Sequence, residues 1–327
     1  MNRRRFLQAG TAAAGLASVP GAGYLAGWDS PLTTQGDFHP IPRRRLGKTG
    51  WDLSILGLGG IVVMDSDQAI ANNTVAQAVD LGINYVDVAP SYGNAQERLG
   101  PALQPYRHRV FLACKTGKRD KARALAALDD SLKLLRTDYI DLYQHHAVTT
   151  MEDVHRILGP NGAMEAFVQA RKAGKIRYLG FSAHSTEAAL ALLDRFEVDT
   201  ILFPINFVLY SQAHFGPQVI ARAREKGVGI LAIKAMAKTT WPSSLAQERR
   251  PNPKCWYQPC SVPDEAALAL RWTLSRPITA AIPPGDERFF PLAMYVAQNF
   301  HPLRPEEERI LMARAAHVKP IFPHNHA

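Results

Sequence analysis

The feature that most constrains this chain is a repeated alternation between two kinds of segment. Short apolar runs recur at 55–60, 83–88, 110–114, 139–143, 176–181, 200–205, 228–233 and 278–282. Between them lie longer stretches with apolar residues at helical spacing, at 71–81, 95–103, 123–135, 163–173, 187–196, 217–226 and 264–275. Leu125, Leu128, Leu132 and Leu135 mark one such face, and Gly82, Gly174 and Gly227 act as stops. Short runs without polar alternation fit strands buried on both faces, as in a parallel sheet covered by helices. About eight strand–helix units over roughly 270 residues predict a (β/α)8 barrel, closed by a final helical region.

A doubly wound sheet is the competing architecture. Gly57-Leu58-Gly59-Gly60 is only a fragment of a dinucleotide fingerprint, since the last glycine is missing and a loop-like segment follows. The barrel is therefore the expected fold. Ahead of it, residues 43–54 read as a hairpin turned on Gly47 and Gly50. The chain divides into a leader (1–27), a Pro/Gly/Thr-rich linker (28–42) and one barrel domain (43–327).

The leader, Asn2-Arg3-Arg4-Arg5-Phe6-Leu7-Gln8 before a small apolar run, resembles a twin-arginine (Tat) export signal. That resemblance implies engagement of the Tat machinery and a periplasmic or otherwise exported protein. The apolar run, 9–19, is too short and too rich in Gly and Ala to span a bilayer stably. Net charge is +9, but three of those charges are the leader arginines, and no basic block is interleaved with aromatics. Nucleic-acid binding is thereby disfavoured. Cys114 lies in an apolar run and reads as a small buried hydrophobe. Cys255 and Cys260 flank Trp-Tyr-Gln-Pro and are either a disulfide or two unpaired thiols. Without histidines nearby they make no convincing metal site.

In a (β/α)8 barrel, the carboxyl ends of the strands share one mouth. Asp87 ends the second expected strand, Lys115 the third and His146 the fourth, while Tyr92 follows Asp87 on a Pro/Ser/Gly loop. Neighbouring strands lie about 5 Å apart, so these side chains can meet. Their types suit protonation of a carbonyl oxygen while hydride reaches its carbon. A phenol, ordinarily near pKa 10, is a poor acid at neutrality. A lysine beside it is expected to lower that value, with Asp87 fixing the lysine and His146 orienting the substrate oxygen.

At these residues the chain resembles the aldo-keto reductase family. The matching pieces are Leu46-Gly47-Lys48-Thr49-Gly50, Leu56-Gly57-Leu58-Gly59-Gly60, Asp87-Val88-Ala89-Pro90-Ser91-Tyr92-Gly93 and Lys115-Thr116, then Asp138-Tyr139-Ile140-Asp141-Leu142-Tyr143-Gln144-His145-His146 and Gly180-Phe181-Ser182. The resemblance implies a (β/α)8 barrel that reduces an aldehyde or ketone with a nicotinamide cofactor; NADP(H) is favoured over NAD(H), but Asp286-Glu287-Arg288 departs from the common pattern and leaves that choice open. It implies Tyr92 as general acid, completed by Asp87, Lys115 and His146. His145 competes for the last role, but family spacing and strand alternation favour His146.

The resemblance also implies cofactor contacts at Gly60, Ile61, Ser182, Lys234, Met236 and Gly285. Here the chain departs from the family pattern. Ala183 stands where many members have asparagine, Leu202 where many have glutamine, and the Ala232–Met236 segment lacks its usual aromatic. Arg288 is either a ribose-phosphate contact or a solvated loop residue. With no cysteine after Cys260, no iron–sulfur tail is expected. The alternative function is a non-catalytic nicotinamide-binding barrel acting as a sensor or partner module. Loops at 149–161 and 237–262 are expected to set specificity. In the second, Trp241, Trp256 and Tyr257 either line a pocket or pack the loop onto the barrel.

Overall fold

A computed structural model describes residues 39–322. The twin-arginine-like leader and positions 28–38 of the linker lie outside the described residues. Strands β1 (Arg43–Arg45) and β2 (Asp52–Ser54) form an antiparallel hairpin. The barrel follows as β3 (Leu58–Gly59), β4 (Tyr85–Asp87), β5 (Phe111–Thr116) and β6 (Ile140–Val148). It continues as β7 (Ile176–Ala183), β8 (Thr200–Pro204) and β9 (Gly229–Ile233). A second hairpin, β10 (Ala237–Thr240) with β11 (Tyr257–Pro259), precedes the last barrel strand, β12 (Ala280–Ala281).

The eight barrel strands are parallel and stand in chain order. A parallel bridge between Leu56 and Ala281 joins the first to the last and closes the ring. It carries two hydrogen bonds, Gly57 N to Ala281 O and Ala281 N to Ile55 O, each 2.9 Å. All eight apolar runs are therefore strands of one barrel. The expected helices also form, for example Ala95–Leu103, Ala163–Lys172 and Pro263–Leu274. Two further helices, Met151–Leu158 and Phe207–Gln212, were not expected. The first occupies most of a stretch read as loop. Thr150 caps it by accepting from Asp153 N, and Val154 and Ile157 anchor it. Among the described residues no helix is long and apolar enough to cross a membrane.

Side-chain alternation divides the apolar residues into two cores. One fills the lumen, with Tyr85, Ala113, Leu142, Leu202 and Leu231 pointing inward from β4, β5, β6, β8 and β9, and Ile282 just past β12. The other lies between the sheet and the helices and holds Val86, Leu112, Tyr143, Leu179 and Phe203. Gly57 makes the lumen possible, because a Cβ there would sit 2.5 Å from the Tyr85 ring.

The first hairpin plugs the amino end of the barrel. Leu46 and Leu53 are fully buried in the lumen cluster, with Trp51 packed against it edge-on to Phe111. Gly47 holds φ +47 and lies so close to β9 that a Cβ would meet Gly229 N at 2.4 Å. Tyr178 donates its hydroxyl to Thr49 O at 2.7 Å. Leu46→Ala is expected to cost about 2–5 kcal/mol, since the void opens inside the sealed lumen. Chemical denaturation reads this as a lower midpoint. An unchanged midpoint would mean the plug is not part of the cooperative unit.

Candidate active site at the carboxyl mouth

Asp87 shares its face of β4 with Tyr85, so the pleat that puts the tyrosine in the lumen also turns the carboxylate inward. The chain then turns through Ala89–Tyr92, with Tyr92 N donating to Ala89 O at 3.0 Å, and Gly93 adopts φ +51. This turn sets the Tyr92 phenol above Lys115 of β5. The Lys115 ammonium donates to Asp87 Oδ2 and lies 3.3 Å from the Tyr92 hydroxyl. Gln144, opposite Lys115 in the β5–β6 register, donates to Asp87 Oδ1 at 3.3 Å. Sequence reasoning missed Gln144, although its spacing from His146 puts both on the inward face of β6.

The two histidines separate as strand alternation requires. His145 faces outward, fully buried and stacked on Phe167 with ring centroids 3.9 Å apart. His146 faces the mouth, edge-on to the Tyr92 ring at 5.8 Å and with Nδ1 3.5 Å from Ser91 Oγ. Burial, together with the charges of Lys115, Lys234 and Arg119, pushes the His146 imidazole down to about 3. It is therefore neutral at physiological pH.

The strand bends just after His146. The β6–β7 register shifts between His145 and Val148, and Ala147 adopts φ +51, a left-handed conformation costly for a residue with a Cβ. Arg119 holds this bulge. One guanidinium nitrogen donates to the carbonyls of His146 and Ala147, at 2.8 and 3.2 Å, while Nε pairs with Asp153 at 2.8 Å. Ser182 accepts from Ala147 N at 2.8 Å. Arg119 too was missed, because its partners are backbone carbonyls.

Electrostatics revise one expectation. Burial raises the Tyr92 pKa above the ordinary phenol value, and the Lys115 ammonium pulls against that without overcoming it. Burial alone would lower Lys115, but Asp87 and Tyr92 hold its pKa above the usual value, so it stays charged. The phenol is thus protonated and the amine ionised across the neutral range.

These groups floor a cavity of about 280 Å³ walled by Leu202, Ile233 and Ile282. Of the expected cofactor positions, Ile61, Ser182, Lys234 and Gly285 line it. Gly60 instead packs against Val88, and the Met236 side chain is buried in the sheet–helix core. The roof is the β10–β11 connection, which crosses the mouth as a strap. Lys254 donates to Met64 O at 2.8 Å and pairs with Glu287 at 2.9 Å. Asn252 Nδ2 donates to Asp286 at 3.3 Å, and Arg288 bonds both Asp286 and Pro251 O. Tyr257 is buried on the cavity side and Trp256 is half-exposed beside it, while Trp241 donates to Cys255 O at 2.8 Å. The strap aromatics therefore divide between lining the pocket and fastening the loop. Cys255 and Cys260 are both buried free thiols, as is Cys114.

The cavity suits the reactive end of a nicotinamide cofactor. Its apolar walls can take a flat ring, Ser182 is a hydroxyl beside them, and Lys254 places a cation at the Gly285 end where phosphates would run.

A closed barrel with an acid–base quartet at its carboxyl mouth is the framework of a barrel enzyme. The Aldo/keto reductase family profile matches residues 55–285. The uncharacterized oxidoreductase YqkF of Bacillus subtilis is 36% identical over 155 residues, which is 43% of this chain and 48% of that protein. The aldo-keto reductase YhdN, also from Bacillus subtilis, is 34% identical over 158 residues, 42% of this chain and 46% of its own length. The matched stretches thus span about half of each relative. The structure of the aldo-keto reductase AKR11C1 from Bacillus halodurans superposes with a TM-score of 0.65 at 23% identity, covering 86% of this chain and 98% of its own. This chain belongs to the aldo/keto reductase family.

Two pH-linked results follow from the site. The unfolded chain protonates His146 and His184 near pH 6.5, whereas the fold holds them at about 3 and about 2. The unfolded state binds more protons, so these residues remove stability as pH falls below about 6.5. His184→Gln is expected to flatten that slope in urea melts run across pH. Arg119→Met is expected to free the bulge and move the His146 titration up from about 3. Histidine NMR titration reads the change, and an unmoved value would remove Arg119 from this role.

Proposed function

We propose that this chain reduces an aldehyde or ketone to the alcohol, with NAD(P)H as hydride donor and Tyr92 as general acid. The observation that carries this reading is the Lys115 ammonium, tied to Asp87 and 3.3 Å from the Tyr92 hydroxyl on the floor of an apolar cavity. When bound, the dihydronicotinamide supplies the hydride. Everything else falls to the chain. As negative charge develops on the carbonyl oxygen, the Tyr92 hydroxyl gives up its proton, and Lys115 stabilises the phenolate left behind. The raised pKa of Tyr92 keeps that proton in place until the oxygen becomes basic enough to take it. Asp87 positions Lys115 and keeps it charged, and Gln144 holds the other carboxylate oxygen. His146, neutral, offers one N–H to the same carbonyl oxygen. Leu202, Ile233 and Ile282 exclude water, which strengthens each of these interactions.

NADP(H) in preference to NAD(H) belongs to this proposal, supported by Lys254, which lines the cavity together with Gly285 and pairs there with Glu287. Export by the twin-arginine route also belongs to it, supported by Arg3-Arg4-Arg5-Phe6-Leu7 near the amino terminus. The sensor reading has no observation in its favour, since neither the family nor the relatives support a non-catalytic barrel. Tyr92→Phe is expected to lower kcat on the order of 10²–10⁴-fold while NADPH still binds. Carbonyl-dependent NADPH oxidation and cofactor fluorescence titration read the two effects. Undiminished turnover in Tyr92→Phe would remove the phenol from its role.

A further inference from the structure

His184 and Lys234 occupy equivalent places, each the first residue past a barrel strand, β7 and β9 respectively. Lys234 holds φ +62, its carbonyl fixed by Ala237 N at 3.0 Å and Asn206 Nδ2 at 3.2 Å. This backbone turns its side chain into the mouth, where the residue is only 8% exposed. The ammonium meets His184 Nε2 at 3.2 Å and the faces of Trp256 and Phe322 at 5.4 and 6.0 Å. Among the described residues no carboxylate lies within ion-pair distance of it.

Its neighbours make this more unusual. Asp87 is committed to Lys115, and at the far end of the strap Glu287 and Asp286 are committed to Lys254 and Arg288. The β7–β9 side of the mouth is left with a buried cation and the neutral imidazole of His184, facing the neutral His146 at the end of β6. Burial, and the Lys115 charge, bring Lys234 down to about 7. An ammonium has three donors, and here one imidazole nitrogen accepts. Such a group is stabilised by an anion that enters with its own oxygens.

We propose that Lys234 and His184 form an anion subsite beside Tyr92, and that the carbonyl substrate carries a carboxylate or phosphate. This rests on the reduction reading above. With Nε2 facing the ammonium as acceptor, the neutral His184 ring carries its proton on Nδ1. The Trp256 and Phe322 rings close the sides, and Phe322 stacks on His184 at 5.1 Å. The anion belongs to the substrate rather than to the cofactor diphosphate because of where the charges stand. His184 N donates to Val148 O at 3.0 Å, at the end of the strand that carries His146, and Lys234 lines one cavity with Lys115, His146 and Tyr92. The cation at the Gly285 end is Lys254.

The test compares charged and neutral aldehydes of matched shape, succinic semialdehyde against butanal and glyceraldehyde 3-phosphate against glyceraldehyde. The wild type is expected to favour the charged member of one pair by about tenfold or more in kcat/KM. Lys234→Gln is expected to collapse that ratio, chiefly through KM, and Lys234→Arg to restore part of it. With wild-type protein saturated in NADPH, added succinate is expected to raise the thermal midpoint, and Lys234→Gln to lose the rise. A wild type that reduces butanal and glyceraldehyde without favouring their charged partners overturns the subsite and leaves the reduction reading standing. A Lys234→Gln protein with an unchanged ratio but weaker NADPH binding also overturns it, placing the ammonium on the cofactor diphosphate. Failure to reduce any of the four sinks both readings together.

Discussion

The buried ion pair between Lys115 and Asp87 is the interaction on which the mouth of this barrel depends. Both residues are almost wholly enclosed, where an unpaired charge of either sign would be several kcal/mol unfavourable. Neither can be removed alone without stranding the other. Gln144 and the Val88 carbonyl complete the polar shell around them. The pair is therefore a fixed charge distribution rather than a flexible contact, and Tyr92 is set against it. A phenol in so dry a place resists ionisation. The adjacent ammonium is what makes loss of its proton accessible when an acceptor arrives.

That arrangement needs a floor and a frame. The lumen residues beneath the pair are apolar from Ile282 around to Leu142, and the first hairpin seals them from water at the other end. On the rim, the Arg119–Asp153 contact ties the β5 exit to the helix Met151–Leu158 and fixes the bend that presents His146. The mouth is thus asymmetric. Its β4–β6 side carries the acid–base groups, its β7–β9 side Lys234 with His184, and its β12 side the fasteners of the strap.

Much of the architecture was legible because both faces of each strand are buried, which writes the strands as unbroken apolar runs. The quartet was legible because strand ends in this topology share a mouth, and pleat parity alone separates His146 from His145. What stayed hidden has physical causes. The helix Met151–Leu158 buries only Val154 and Ile157, too few positions to establish a period. Arg119 acts on carbonyls, which leave no trace in a sequence. Lys254 reaches Met64 across 190 residues. The net direction of the Tyr92 shift depends on how completely the site is enclosed, and composition carries no measure of that.

The seam between the first and last strands has a consequence for how the chain comes to be folded. Leu56 bonds Ala281, Arg44 donates to Ile278 O at 3.1 Å, and Thr279 donates to Arg45 O at 2.9 Å. Each contact joins residues more than 220 positions apart, so none can form until nearly the whole chain has left the ribosome. Until then β3 has an open edge and the lumen lacks its stopper, leaving apolar surface available to chaperones or to other nascent chains. Closure is thus a late event of high contact order, and the quartet at the mouth is assembled only as the ring shuts.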